Sequence, residues 1–255
     1  MNHSALRTLE ILEYLAASGE ARSISEISRD LGYPKTSVFD IVGALLEKGF
    51  VKLDDPRLKT YTVGLSAYRV GMSYINRADL YSIAHEVLID LKNRTGETVY
   101  LAVEDHGSAV YLDKVESSQP LQSACSRGSK KPMYLTGLGK AMLAGYDDAK
   151  IKTLMREPFE RRTDTTLRDM DALMEDIAQT RKRGYAVDNG EDVEILRCVA
   201  APIRNAQNET IAAISISMLY LRFTPEVEER VSRELVDAAL QISRQLGYTK
   251  SQLYK

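Results

Sequence analysis

Two cysteines in 255 residues, Cys125 and Cys198, lie far apart and outside any CxxC spacing. That scarcity excludes a disulfide framework and a cysteine zinc site; both are read as reduced thiols, and no metal is expected. Histidine is nearly as scarce. His3, His85 and His106 fall in the terminus, a predicted helix and a predicted turn, and no motif links them to Cys198 as a catalytic base. The chain therefore reads as a non-enzyme, with no cofactor. No apolar run reaches the length of a membrane span, and the opening MNHSALRTLE enters a helical pattern directly, so a cytoplasmic protein without membrane contact is expected. Positive charge is not in excess. The formal net charge is -2, and residues 1–65 hold eight Lys or Arg against nine Asp or Glu. Binding nucleic acid through bulk basicity is excluded, so any such binding must come from the placement of charge. Internal repeats and low-complexity tracts are missing too.

What is present is a 44% hydrophobic chain, ample for a packed core in one or two domains. Its organising stretch runs from Ser25 to Lys48. Val38, Ile41, Val42, Leu45 and Leu46 make one apolar stripe at helical period, and Ile27 and Leu31 offer a second helix to the same core. Gly32-Tyr33-Pro34 is the turn between them; Pro34 suits a helix opening and Gly49 the left-handed position past the end. Ser23 and Ser25 are both candidate caps for the earlier helix, Glu26 being the partner of Ser23. A first helix carries Leu6, Leu9, Ile11, Leu12, Leu15 and Ala16. After Gly49 the pattern turns extended: Phe50 to Leu53, a turn at Asp54-Asp55-Pro56-Arg57, then Lys59 to Gly64. Three helices and a hairpin make a winged helix-turn-helix, which presents its second helix to the DNA major groove; an ordinary helical hairpin is the alternative on this stretch alone.

A helix from Leu65 to about Asn76, with Leu65, Tyr68, Met72 and Ile75 on one face, marks the domain boundary. Beyond it a helix from Leu80 to Thr95 precedes a hairpin, Thr98 to Val103 and Ala109 to Val115, turning at Asp105-His106-Gly107. A third extended piece, Leu121 to Ser126, leads into a basic loop, Arg127 to Pro132. Helices are predicted over Gly137–Ala144, Asp147–Arg156 and Asp169–Arg183, then two central strands, Cys198–Ile203 and Thr210–Met218. A final helix opens at Pro225 with Thr224 as cap and runs to Leu246. The expected second domain is a mixed α/β sandwich with an antiparallel sheet.

At this level of detail the sequence resembles the IclR family of bacterial transcriptional regulators. The matching stretches include Leu31-Gly32-Tyr33-Pro34-Lys35-Thr36-Ser37, Gly96-Glu97-Thr98-Val99-Tyr100, Gly137-Leu138-Gly139-Lys140-Ala141, Arg183-Gly184-Tyr185-Ala186-Val187-Asp188 and Arg197-Cys198-Val199-Ala200-Ala201-Pro202-Ile203. The resemblance implies an α+β chain: a winged helix-turn-helix (residues 1–64), a linker helix (65–78) and a GAF-like α/β effector-binding domain with an antiparallel sheet (79–255). It also implies a homodimer or dimer of dimers on double-stranded, partly palindromic operator DNA, governed by a small effector.

The candidate DNA-binding residues are Lys35, Thr36, Ser37, Phe39 and Asp40 on the second helix and Arg57 and Lys59 on the wing, suited to base edges or phosphates. Asp40 stands where the family commonly has a basic residue; it can accept a bond from cytosine N4, or be solvated, or pair with Lys35. In the second domain, helix N–H groups opening at Gly137 favour an anion, so a small organic acid is expected. By resemblance the effector cavity is lined by Gly137, Leu138, Asp188, Cys198, Ser215 and Ser217, the two serines sharing a face at period 2. Met133 and Tyr134 are expected to close it and set its size. Glu194-Ile195-Leu196 replaces a glycine-containing turn common in the family, so a different entrance is expected. Rival readings are a thiol redox sensor using Cys125 and Cys198, a small-molecule-binding protein that does not bind DNA, and an enzyme.

Overall fold

The computed structural model describes residues 3–75, 79–119 and 125–254. The chain divides into two compact units, residues 1–78 and 79–255. The first contains α1 (His3–Ser18), β1 (Arg22–Ser23), α2 (Ile24–Leu31), α3 (Lys35–Glu47), β2 (Val51–Asp55), β3 (Thr60–Val63) and α4 (Leu65–Ile75). Ser23 starts α2 through a reciprocal cap: its Oγ accepts from Glu26 N at 3.3 Å, and the Glu26 carboxylate accepts from Ser23 N at 2.8 Å. The Ser23 N–H and hydroxyl, both donating to it, hold the Glu26 carboxyl below the usual range. Gly32 ends α2 at φ +70°, Pro34 precedes α3, and Gly49 follows α3 at φ +72°. Ile11, Leu15, Ile27, Val38, Val42, Leu45 and Val51 form the core.

Helix geometry explains which expected core residues stay outside. Leu46 lies roughly 80° around the helix from Val38, and Leu9 roughly 160° from Ile11, at 3.6 residues per turn. Leu46 is accordingly 40% exposed and Leu9 58%. On α4, Leu65 and Tyr68 are exposed instead of buried within this unit. The side chains of Met72 and Ile75 and the expected linker end at residues 76–78 lie outside the described residues. The wing differs in two ways. Asp54 and Asp55 belong to β2, with an irregularity between Leu53 and Asp55, so the turn moves to residues 56–59. The two-residue strand β1, too short to show a period, pairs with β3 and makes a three-stranded sheet of order β1-β3-β2.

The second unit holds α5 (Asp79–Thr95), β4 (Thr98–Asp105), β5 (Ser108–Val115), β6 (Lys130–Pro132), α6 (Gly137–Ala144), α7 (Asp148–Leu154), α8 (Met170–Arg183), β7 (Ala186–Asp188), β8 (Leu196–Arg204), β9 (Thr210–Leu219) and α9 (Pro225–Gln245). Its sheet is antiparallel throughout, in the order β6-β5-β4-β9-β8-β7. His106 and Gly107, both at positive φ, make the tight β4–β5 turn. Lys130–Pro132, expected in a basic loop, is an edge strand on β5, and the short β7 was not foreseen. Residues 121–124 of the expected strand Leu121–Ser126 lie outside the described residues.

Side chains alternate across this sheet. Tyr100, Ala102, Ala200 and Ala213 lie in one core with α6. Val99, Leu101, Val199, Ile214 and Ile216, of the opposite parity, are fully buried on the other face, where α5 and α9 pack on each other and on the strands. Thr224 caps α9 by accepting from Val227 N at 3.4 Å. Among the described residues no helix is long and apolar enough to cross a membrane.

Gly139 sets how closely α6 seats. An added Cβ there would fall inside the van der Waals envelope of the Met133 backbone, which cannot retreat as a flexible side chain does. Gly139→Ala is expected to destabilise this unit by about 3 kcal/mol, the upper part of the overpacking range. Urea denaturation checks this; an unchanged midpoint would show that the helix can shift freely.

Candidate functional site

Strand register assembles a cavity on the α6 side of the large sheet. Asp188 sits opposite Cys198 and Cys198 opposite Ser217, making a row across β7, β8 and β9. One row along, Ala200 faces Ser215 and Ser215 faces Tyr100. The start of α6 abuts both rows: a Cβ added to Gly137 would lie 3.4 Å from the Ala200 Cβ and 3.5 Å from the Asp188 Cβ. The enclosed volume is about 460 Å³. Gly137, Leu138, Asp188, Cys198, Ser215 and Ser217 all line it.

Met133 and Tyr134 do not. Met133 is fully buried in the core, and Tyr134 stacks on Phe159 with centroids 4.3 Å apart while its hydroxyl donates to the Glu160 carbonyl. The turn Met133–Leu135 directs both into packing instead of into the cavity wall. Tyr100 and Tyr111, packed edge to face at 5.3 Å, bound the cavity in their place.

The polar floor is partly unsatisfied. Thr136 caps α6 by accepting from Gly139 N at 3.0 Å, and among the described residues the N–H groups of Gly137 and Leu138 have no partner. Such amides at a helix start favour a negative group. Ser215 is 2% exposed and its hydroxyl has no partner among the described residues. The Asp188 carboxylate accepts from Gly190 N at 2.9 Å and Glu191 N at 3.1 Å. Behind it Lys140, with none of its surface exposed, lies 2.7 Å from Glu191 and 3.2 Å from Asp176. Two carboxyl groups, Glu191 and Asp176, share one ammonium there. Burial and the neighbouring Asp188 push Glu191 up to about 8. Burial alone would depress Lys140, but Glu191 and Asp176 outweigh it and hold its pKa up. These partners lie 51 and 36 residues from Lys140, so no local motif announces them.

Cys198 donates to Ser217 Oγ at 3.3 Å, and burial followed by the Asp188 charge pushes its thiol well up. A thiol so placed is a poor nucleophile at neutral pH. No histidine lines the cavity, and among the described residues no His, Cys, Asp and Glu cluster could hold a metal ion. The sequence also did not single out Lys131 and Asp192, cavity-lining residues paired at 2.7 Å.

In the first unit, Lys35, Thr36, Phe39 and Asp40 are exposed on α3 and Ser37 is half-buried beside them. Pro34 supplies no side-chain cap, and the N–H groups of Lys35, Thr36 and Ser37 have no partner among the described residues. This end of α3 is positive through its backbone, independent of lysine count. No ion pair joins Asp40 to Lys35 among the described residues. In the wing turn Asp55 accepts from the backbone N–H of Arg57 at 2.6 Å and of Leu58 at 3.1 Å, leaving Arg57 and Lys59 exposed at the tip.

Comparison with known proteins accounts for both units. The model of the bacterial transcriptional regulator IclR C-terminal domain matches residues 72–244, and that of the IclR helix-turn-helix domain matches residues 4–55. Transcriptional repressor IclR of Escherichia coli strain K12 is 33% identical over 247 residues, 96% of this chain and 90% of that protein. The HTH-type transcriptional repressor AllR of the same strain is 33% identical over 242 residues, covering 94% and 89%. The crystal structure of the Thermotoga maritima IclR matches with a TM-score of 0.79 at 33% identity, covering 97% of this chain and 100% of that one.

The buried charges predict a pH response. Glu191 ordinarily titrates near 4.5 and in the fold near 8, so between those values the folded state keeps a proton that the unfolded state has lost. Stability of the second unit should therefore fall as pH rises through that window, by at most about 1.4 kcal/mol per unit. Glu191→Gln should flatten this slope in urea titrations; an unaltered slope would assign it to other groups. Alkylation of Cys198 at neutral pH should run well below that of free cysteine and accelerate only in alkali. Rapid native-state labelling would revive the redox-sensor reading.

Proposed function

The chain belongs to the IclR family of bacterial transcriptional regulators, and on that premise we propose that residues 1–64 grip double-stranded operator DNA while residues 79–255 sense a small organic acid. The unsatisfied floor of the cavity carries the second half of this reading: two helix-start N–H groups and the Ser215 hydroxyl, without partners among the described residues, belong to residues that line one cavity, and such donors favour a carboxylate. Gly137, Leu138, Asp188, Cys198, Ser215 and Ser217 are the proposed contacts. Met133 and Tyr134 support their positions from the core.

On the DNA side, the uncapped start of α3 meets a phosphate, Lys35, Arg57 and Lys59 neutralise others, and Thr36, Ser37, Phe39 and Asp40 face base edges. Two such chains assemble as a homodimer or a dimer of dimers, acting in the cytoplasm, and the linker, residues 65–78, is the conduit of the response. Effector and DNA then couple because the acid binds two arrangements of the assembly unequally. The chain performs no catalysis in this scheme. Its relatives named as repressors favour repression.

A gel-shift assay with the region upstream of the protein's own gene tests the reading, with organic acids and their uncharged amides added in turn. Retardation relieved or strengthened by an acid alone is expected. No retardation would defeat the DNA-binding half, and a response only to amides would defeat the acid. Asp40→Ala should change base preference in a sequence-selection assay; identical preference and affinity would remove Asp40 from the reading face. Lys35→Ala should weaken all sites alike and lower the salt slope by about 1.

A further inference from the structure

Resting on the acid-sensing reading above, we propose that residues 248–254 form a strap joining α6, the helix of the cavity, to α9 on the opposite face of the sheet, and that a shift of α6 on ligand binding passes through it to the α5–α9 layer. The chain changes faces here. α9 packs with α5 against the strands on one side, whereas Tyr254, beyond the end of α9, lies in the core shared with α6 on the other. The match to the family model ends at residue 244, before the strap begins.

The strap is pinned at both ends and exposed between them. Before it, Gly247, at φ +88°, turns against the β8–β9 connection: a Cβ added there would lie 2.9 Å from the Ala206 Cβ. Tyr248 is buried, its N–H donating to the Ser243 carbonyl of α9 at 2.9 Å and its hydroxyl to the Gln252 carbonyl at 2.5 Å. Residues 249–252 are exposed. The buried Arg204 guanidinium, which donates to the Asn208 carbonyl of the same connection at 2.8 Å, also donates to the Leu253 carbonyl at 2.5 Å.

The last tie reaches α6. The buried Tyr254 hydroxyl donates to the Ala141 carbonyl at 3.0 Å. That carbonyl lies in the last turn of the helix, where Gly145 N donates to Met142 instead, so Tyr254 supplies the partner that a helix end lacks. Gly137 and Leu138, which line the cavity, lie one turn before Ala141 on the same eight-residue helix, so a displacement of the first turn is carried to Ala141. Other polar ties of α6 run to α8 and to Glu191 after β7: Lys140 with Glu191 and Asp176, and the Ala144 carbonyl with Arg181. The Tyr254 bond leads instead toward α9, and α5, packed on α9, follows the linker directly in the chain.

Hydrogen exchange on the full chain, read by mass spectrometry, tests this with Tyr254→Phe and Tyr248→Phe, which keep the rings and each remove one hydrogen bond. The Tyr248 hydroxyl bonds within the strap, so its effect on α6 measures transmission. Each variant should speed exchange of the α6 amides about fivefold, the effect of one lost hydrogen bond, with the β4–β5 hairpin unchanged. Tyr254→Phe should do the same in the last turn of α9. Alkylation of Cys198 by iodoacetamide should accelerate by a similar factor, because α6 and Cys198 wall the same cavity. Unchanged α6 exchange in Tyr248→Phe would overturn the strap, and equal acceleration in every strand would reduce it to a contribution to overall stability. In the gel-shift assay, with benzoate, pyruvate and succinate added in turn, the acid concentration that alters retardation should shift several-fold in Tyr248→Phe. An identical concentration would overturn the transmission. A wild-type chain that answers to benzamide and to none of the three acids would overturn acid sensing, while the exchange results still decide the strap.

Discussion

One buried ammonium holds the sensor unit's cavity in register. Lys140 lies on α6, Glu191 follows β7 and Asp176 lies on α8, so a single side chain ties together three elements distant in sequence. Removing one partner of such a buried cluster typically costs about 3–5 kcal/mol, because the remaining charges stay dehydrated and uncompensated. The tie also fixes function-bearing geometry. It keeps the first turn of α6, with its open N–H groups, against the strand end that carries Asp188, so the polar floor is built before any ligand arrives.

The two units meet the same electrostatic problem by the same means. The helix-turn-helix must attract a polyanion while carrying more acids than bases in residues 1–65. An α3 without a side-chain cap leaves backbone donors open at its exposed start, the surface proposed to meet DNA, and Asp55 is turned inward onto the wing's own amides. On the proposed reading the sensor unit attracts a small anion beside a carboxylate. There Asp188 is occupied by backbone donors, and the first turn of α6 supplies the positive end.

Much of this was legible because it is local. The Ser23–Glu26 cap, Gly32, Pro34 and Gly49 act within a few residues, and the β4–β5 and β8–β9 hairpins show as extended, largely apolar runs of eight or more residues. Leu9 and Leu46 were misassigned because a hydrophobic residue near a stripe need not point along it. Strands β1, β6 and β7, of two or three residues, carry no periodic signal at all. In the cavity, period 2 put Ser215 and Ser217 on one face, and the resemblance supplied the rest. Met133 and Tyr134 failed because adjacency to the glycine turn says nothing of which side of α6 a residue packs on. The Lys140 cluster and the Lys131–Asp192 pair were invisible for a plainer reason: their partners meet only after the sheet has formed.

The shortness of β6 and β7 has a consequence for assembly. They are the two outer strands of the six-stranded sheet, three residues each, so each outer strand itself offers only a short run of backbone for pairing. A sheet with such clipped edges resists growth by strand addition, the common route to aggregation.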